Sequence, residues 1–283
     1  MEDPDKLVQL YDPGEVGREE HNGGDRFVVG VSNVVAWLFP ALMIAICTQV
    51  VLRTFGRYRD AWADTPILGS LAAIGNQAWL DDLQWWMYGF ACLVGIAYAI
   101  TTNSHVRVDI FYDNFQERKQ SRINMFALGW LLMPFLVLCW DTTIHYAVRS
   151  VAAWEGSDSP NGLHNLWSLK IAMNLCFVLM FVAAYSAFRR YLARYTEPTL
   201  WRQMLYALPT TFFLFNLIIY YALYWIVRLT GGPDLNPRRV TREPVFGELE
   251  IGAQEIEYTI IASTVATIAA ILIARALSGR KEA

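Results

Sequence analysis

The chain has 283 residues, of which 55% are hydrophobic and 17% are charged, and its formal net charge is −3. An ordinary soluble domain carries about 25% charged residues, so this composition argues against a soluble protein. The small net charge and the lack of a dense basic run in the sequence argue against nucleic-acid binding.

Six stretches of the sequence contain no Asp, Glu, Lys or Arg, and each approaches the length that an α-helix needs to cross a bilayer. In chain order they cover residues 28–52, 83–103, 123–140, 171–188, 203–226 and 258–274. Backbone polar groups in lipid must be hydrogen-bonded within their own segment, so we expect helices. The predicted fold is an all-α integral membrane protein with about six transmembrane helices.

The N-terminal tail and two prolines give further predictions about the first and third helices. The polar tail 1–27 has neither the basic start nor the small-residue cleavage site of a secretory signal, so we expect the first helix to be retained. Pro40 and Pro134 are expected to kink the first and third helices, because proline donates no backbone hydrogen bond.

The distribution of basic residues predicts the orientation. With a cytoplasmic N-terminus, 14 Lys and Arg residues fall on inner segments and 9 on outer segments. This bias favours cytoplasmic N- and C-termini, although Arg53, Arg57 and Arg59 oppose it. Tryptophans favour the membrane interface, and six lie near the outer ends of the second to fourth helices. They are Trp79, Trp85, Trp86, Trp140, Trp154 and Trp167.

The loop after the second helix has an unusual alternating pattern. Asn103 and Ser104 suit a helix end, and HVRVD follows at 105–109. Its valines can enter the acyl boundary while His105, Arg107 and Asp109 face headgroups or a neighbouring chain. Two interpretations are open: a membrane-surface elbow, or a docking element for a second membrane subunit.

Few ionisable residues lie near the predicted spans. Asp81 and Asp82 precede the second helix, where the helix dipole favours negative charge. Asp141 and Lys170 lie near outer helix ends, and we expect them to be interfacial anchors or salt-bridge partners. The span centres offer no buried cation for a carboxylate solute, which argues against a carrier that works alone.

The positions of the cysteines and histidines bear on whether the protein is a membrane subunit of a redox enzyme. Each of the first four helices has one cysteine, which predicts small buried apolar residues and neither a disulfide framework nor a close-spaced metal motif. A cytochrome b-like anchor subunit of a redox enzyme needs histidines facing each other, and only His145 and His164 could meet. The sequence contains no phosphate-binding glycine loop, serine elbow or metalloprotease motif. We therefore expect no enzyme activity and no cofactor.

Several short motifs together resemble the small permease (DctQ-type, Q subunit) of tripartite ATP-independent periplasmic (TRAP) transporters, in a mannitol/chloroaromatic-like branch. The resemblance covers roughly residues 28–190. The motifs are LQW at 83–85, HVRVDIFY at 105–112, LMPF at 132–135, Glu155, Ser157, NGL at 161–163 and WSLK at 167–170.

The resemblance implies a scaffold in the bacterial inner membrane. The large permease (M subunit) would perform sodium-driven symport of an organic acid delivered by a periplasmic substrate-binding protein, while this subunit packs against it among phospholipids. Two groups of residues are implied as interfaces. The cytoplasmic elbow comprises His105, Arg107, Asp109 and Tyr112, and the outer-side interface comprises Asp82, Trp85, Glu155, Trp167 and Lys170.

The resemblance also predicts the domain organisation. Residues 1–27 would be a cytoplasmic tail and 28–198 a four-helix small-permease core. Members of this family usually have four spans, so 199–283 would be an extension with two additional helices. Its long outward loop is expected to be solvated, with contact to a periplasmic partner as the less favoured alternative.

Overall fold

The computed structural model describes residues 18–57, 65–67, 70, 79–104, 112, 114–159, 162–231, 240–251 and 254–279. Within these residues six helical segments are long and apolar enough to cross a membrane, as predicted. They are Gly23–Arg57, Trp79–Thr102, Glu117–Ala152, Leu166–Tyr195, Leu208–Thr230 and Tyr258–Gly279. The chain is therefore an all-α integral membrane protein.

The individual helices are α1 (Gly23–Val35), α2 (Leu38–Arg57), α3 (Trp79–Thr102), α4 (Glu117–Phe126), α5 (Met133–Ala152), α6 (Leu166–Tyr195), α7 (Leu200–Tyr206), α8 (Leu208–Thr230) and α9 (Tyr258–Gly279). A π-helical segment, Ala127–Leu132, joins α4 to α5. Short 3-10 turns occupy Arg18–Glu20, Val240–Arg242 and Pro244–Phe246. An antiparallel hairpin of β1 (Glu248–Ile251) and β2 (Gln254–Glu257) precedes α9.

The first span, predicted over 28–52 with a kink at Pro40, consists of two helices, because α1 ends at Val35 and α2 begins at Leu38. The amide of Trp37 donates to the carbonyl of Val34, and the amide of Phe39 donates to that of Ala36, so α-helical bonding stops between α1 and α2. Pro40 has no N–H to donate to Ala36, which is a physical reason for the interruption.

Pro134 marks a second irregularity. The amide of Met133 donates to the carbonyl of Leu128, five residues earlier, at the end of the π-helical segment. A proline in the next position removes one regular backbone bond, and the wider π turn accommodates the change. Both prolines therefore lie beside interruptions of regular α-helix.

The predicted fifth helix, 203–226, is also divided. Residues 203–206 belong to the short helix α7, and α8 begins after Ala207, whose φ of −108° and ψ of 41° are not helical. Pro209 lies in the first turn of α8, a position that tolerates the missing N–H.

The α3 helix ends as its sequence indicates. Asn103 takes a left-handed conformation with φ of 61°, and the amide of Ser104 donates to the carbonyl of Ala99. This arrangement satisfies a carbonyl of the last helical turn.

The chain folds into two compact units. Unit 1 comprises the described residues within 1–107 and 142–186, and unit 2 those within 108–141 and 187–283. In unit 1, α1 and α2 both pack against α3. Ala91, Val94 and Ala97 recur every three residues on the buried side of α3, and small side chains of this kind allow helices to approach closely.

Unit 2 is held together by hydroxyl and amide groups as well as apolar contacts. The α8 helix packs against α9, where Thr259, Ser263 and Thr267 are buried. Asn216 of α8 donates to the Ser263 hydroxyl at 3.2 Å. Such pairs stabilise helix association in lipid, where unpaired polar groups have no water to bind.

The cysteine prediction is only partly correct. None of the four cysteines forms a disulfide, but only Cys176 is buried. Cys92 and Cys139 are partly exposed, and Cys47 is exposed. The prediction fails because a charge-free helix has both interior and outward faces, and residue type alone does not assign the face.

Candidate functional site

The candidate site is a polar network in unit 1 formed by Arg53, Asp81, Asp82, Glu155 and Lys170 with their hydrogen-bond partners. Two of its carboxylates, Asp81 and Asp82, lie in the first turn of α3, as the sequence predicts. Negative charge at that position is stabilised by the helix dipole. The two carboxylates bind different parts of unit 1.

Asp81 joins α3 to α2. Its carboxylate accepts a hydrogen bond from Arg53 at 2.6 Å and another from the buried side chain of Gln49. Gln84 donates to Gln49 at 2.5 Å. The positive charge of Arg53, which opposes the predicted orientation, therefore has a carboxylate partner in the same unit.

Asp82 binds the loop that follows α5. It accepts the amide N–H of Leu163 at 3.0 Å. A Cβ on the neighbouring Gly162 would lie 2.5 Å from the Asp82 carboxylate and 2.6 Å from the hydroxyl of Ser157. A glycine at 162 thus permits this close approach of loop and helix.

A left-handed turn at the end of α5 positions Glu155. Trp154 has φ of 47°, a conformation that is costly for an aromatic residue, and the amide of Glu155 donates to the carbonyl of Ser150 at 3.1 Å. Glu155 then forms an ion pair with Lys170 of α6.

The Glu155–Lys170 pair is asymmetric in its environment. The Lys170 side chain is 8% exposed, whereas that of Glu155 is 38% exposed. The Lys170 ammonium also lies 3.7 Å from the centre of the Tyr146 ring. The hydrogen bond from Lys170 lowers the pKa of the Glu155 carboxyl. The expected salt bridge of Lys170 is therefore present.

One turn after Lys170, α6 is hydrogen-bonded to α5. The side-chain amide of Asn174 donates to the carbonyl of Lys170 at 2.9 Å, and its oxygen accepts from the Thr143 hydroxyl at 3.1 Å. Trp167 packs edge-on against Trp154 with ring centres 5.7 Å apart. These contacts fix the start of α6.

The predicted interface residues thus fall into separate groups. Asp82, Glu155 and Lys170 take part in the polar network, and Trp167 lies beside it. Trp85, in contrast, is 72% exposed. Sequence reasoning missed Gln49 and Asn174 and used Gln84 only as part of the LQW motif, although an amide inside an apolar helix was an available signal for each.

The predicted elbow motif is His105, Arg107, Asp109 and Tyr112. His105, Arg107 and Asp109 lie outside the described residues. Tyr112 belongs to unit 2, where its hydroxyl accepts from the Asn124 amide at 2.7 Å and its carbonyl accepts from Gln120 at 3.1 Å. The end of the HVRVDIFY motif is therefore attached to α4.

One carboxylate lies inside a span of unit 2. Asp141 of α5 accepts a hydrogen bond at 2.8 Å from the hydroxyl of Tyr221 in α8. We expected Asp141 to be an anchor or a salt-bridge partner, and no cation lies within 4.0 Å of it among the described residues. The bond instead joins α5 to the additional helix α8.

These contacts connect helices and one loop. Within the described part of the chain, no group of three or more His, Cys, Asp or Glu side chains is arranged to hold a metal ion. Each charged side chain of the polar network has a hydrogen-bonded partner. The arrangement therefore fixes helix positions.

The six spans define a multi-pass membrane protein. The sequence profile of the family described as "Tripartite ATP-independent periplasmic transporters, DctQ component" matches residues 42–194. That segment is just over half of the 283 residues, and the chain belongs to this family. The family is that of the small subunit of TRAP transporters, which confirms the resemblance at this level. No curated protein and no solved structure matches the chain.

Proposed function

We propose that this protein is the small membrane subunit of a TRAP transporter that takes up an organic acid or a similar solute. In this proposal a periplasmic binding protein delivers the solute and the large permease moves it by sodium symport. The small subunit is the stationary scaffold in the bacterial inner membrane, with both termini in the cytoplasm. Family membership over residues 42–194 is the observation that carries the proposal.

The polar network supports a scaffold role. A protein that carries a carboxylate solute binds it near the middle of the membrane with a cation or an exposed helix N-terminus. In unit 1, Arg53 and Lys170 are each paired with a carboxylate, and Lys170 is almost fully buried by its surroundings. These cations fix the helices and are occupied by groups of the protein itself.

The apolar surface supports packing against another membrane protein or lipid. The α2 helix belongs to a segment that is long enough to span a bilayer, and several of its large apolar side chains are exposed. They are Met43, Ile44, Val50 and Val51. Unit 1 therefore presents an apolar face that is available for packing against the large permease.

We further propose that the additional helices enlarge the scaffold. The hydroxyl of Thr210 in α8 donates to the carbonyl of Gly129 at 2.6 Å, and Tyr221 donates to Asp141. Gly129 and Asp141 belong to the segment that the family profile matches. The extension is thus bonded to part of that segment within unit 2.

The elbow motif is proposed to contact the large permease or the membrane surface. Arg107→Ala and Asp109→Ala should each reduce recovery of the large permease with a tagged form of this chain. Arg149→Ala is the matched control, because Arg149 is an exposed basic residue in the last turn of α5.

The decisive experiment is affinity purification of the tagged chain after co-expression with its large permease. Recovery of the permease with wild type and with Arg149→Ala, and loss with the elbow variants, would support both parts of the proposal. Full recovery with both elbow variants would remove the docking role. Failure of wild type itself to retain a large permease would contradict the scaffold function.

A further inference from the structure

We propose that one end of unit 2 binds the phosphate headgroup of an anionic phospholipid, and that Arg118, Arg122, Arg202 and Arg275 form this site. We call these four residues the arginine cluster. The proposal concerns the chain in its bilayer and does not depend on which solute a transporter carries.

The first half of the cluster is built on Tyr195, the last residue of α6. The guanidinium carbons of Arg118 and Arg122, both on α4, lie 5.5 and 4.8 Å from the centre of its ring. Arg122 also donates to the Tyr195 hydroxyl at 3.2 Å. The Tyr195 ring in turn meets Tyr206 of α7 edge-on at 6.0 Å.

The second half is built on Trp201 of α7. Arg202 lies 5.2 Å from the centre of this ring, and Arg275 reaches it from α9 at 5.6 Å. Arg202 is held further by the Thr196 hydroxyl at 2.7 Å and the Glu197 carbonyl at 3.3 Å. Three helices thus bring four arginines onto two neighbouring aromatic platforms.

The electrostatics of this surface favour an anion. In the part of the chain that the structure describes, no carboxylate lies within 4.0 Å of any guanidinium of the arginine cluster. Arg118, Arg122 and Arg275 are exposed. A guanidinium that rests on an aromatic face can still direct its in-plane N–H groups at a phosphate, which accepts two of them at once.

The surroundings select a lipid as the source of the phosphate. The arginine cluster lies at the start of α4 and the end of α9, which are ends of predicted spans. The short helix α7 adds exposed apolar side chains, Leu200 and Leu205, beside the charges. The positive-inside bias assigns this end to the cytoplasmic leaflet, where anionic headgroups attract juxtamembrane arginines.

The test uses the purified full chain in detergent and native mass spectrometry with added phosphatidylglycerol or phosphatidylcholine. Wild type should retain phosphatidylglycerol preferentially. The double variant Arg202→Gln/Arg275→Gln should lose about fivefold in that preference for each arginine removed. Arg202→Lys/Arg275→Lys keeps both charges but loses the paired N–H groups, so its preference should lie between those of wild type and the glutamine variant. This charge-conserving variant reports on the site separately from folding.

Arg228→Gln is the matched control. Arg228 also stacks on a tryptophan, Trp225 at 5.5 Å, but it lies in the last turn of α8, far along the helix from α7. This variant should keep the wild-type preference. Equal retention of the two lipids by wild type would overturn the proposal, as would an equal loss in Arg228→Gln.

Two further experiments distinguish the lipid headgroup from free phosphate and from an acidic protein segment. Inorganic phosphate at millimolar concentration should not displace phosphatidylglycerol, and complete displacement would show a site for free phosphate instead. Co-purification with the large permease should be the same for wild type and the glutamine double variant. Loss of the permease with an unchanged lipid preference would assign the arginine cluster to an acidic protein segment and refute the lipid site.

Discussion

The hydrogen bond between Tyr221 and Asp141 gives a quantitative test of how the additional helices are attached. Tyr221→Phe removes one hydroxyl and keeps the ring, leaving the half-buried Asp141 carboxylate without the donor that lies 2.8 Å away. If α8 is bonded to the family segment as described, the variant should be less stable than wild type.

The size of the loss follows from the kind of bond. Hydrogen bonds to charged groups contribute about 1.5–3 kcal/mol in soluble proteins, whereas polar bonds between membrane helices average about 0.6 kcal/mol and reach about 1.7 kcal/mol. Because both groups here are only half-buried, we expect about 1 kcal/mol. For a chain of this size that corresponds to a decrease in Tm of about 2–4 °C.

The assay is thermal unfolding of the purified protein in one detergent, followed by the loss of monodisperse protein. Tyr220→Phe is the matched control, because the Tyr220 hydroxyl has no hydrogen-bond partner among the described residues, while its ring stays against Phe246 at 5.5 Å. Equal Tm values for wild type, Tyr221→Phe and Tyr220→Phe would refute the reasoning.

Three further predictions concern the polar network and the hairpin. Gly162→Ala should lower Tm and Gly89→Ala should not, because a Cβ at 162 meets a carboxylate oxygen at 2.5 Å whereas one at 89 meets nothing within 4 Å. Lys170 lowers the pKa of Glu155, so the stabilisation from this ion pair is present at neutral pH and is lost as the pH falls below about 4. Glu155→Gln should therefore flatten the decrease of Tm between pH 6 and pH 3. An unchanged decrease would count against the ion pair. Glu255, first by a hydrogen bond, raises the pKa of Glu248. Hairpin stability should thus decrease as the pH rises through that raised pKa, and slower amide exchange over 248–257 in Glu248→Gln at pH 7 would confirm it, whereas faster exchange would not.

The positions of the spans were readable from the sequence because charge is excluded from lipid. Six charge-free stretches therefore predicted six spans, and the pattern at Asn103 and Ser104 predicted the end of α3. The helix bounds were less accurate. Break points at Ala36–Trp37 and at Ala207 depend on backbone geometry around prolines, and hydrophobicity does not record that geometry.

The polar network was only partly predictable. Local sequence indicates that Asp82 begins a helix and that Lys170 needs a partner inside a largely apolar helix. It does not indicate which carboxylate reaches Lys170, because Glu155 is positioned by the left-handed backbone of Trp154. Tryptophan rarely adopts that conformation, so the sequence offered no signal for the turn.

The partner of Asp141 was likewise not predictable from the sequence. The sequence shows an ionisable residue near a span, and such residues are normally paired. Its partner, Tyr221, is 80 residues away and belongs to a helix that the family resemblance does not cover. Because the tyrosine hydroxyl is uncharged and lies on another helix, the pattern of charged residues does not indicate this hydrogen bond.

The central claim is that this chain supports a transporting subunit and moves no solute by itself. The most direct measurement is uptake of labelled organic acids into sodium-gradient proteoliposomes containing either this chain alone or the chain with its native large permease and binding protein. We predict uptake only for the three-component system. Gradient-driven uptake by the purified chain alone would contradict the account.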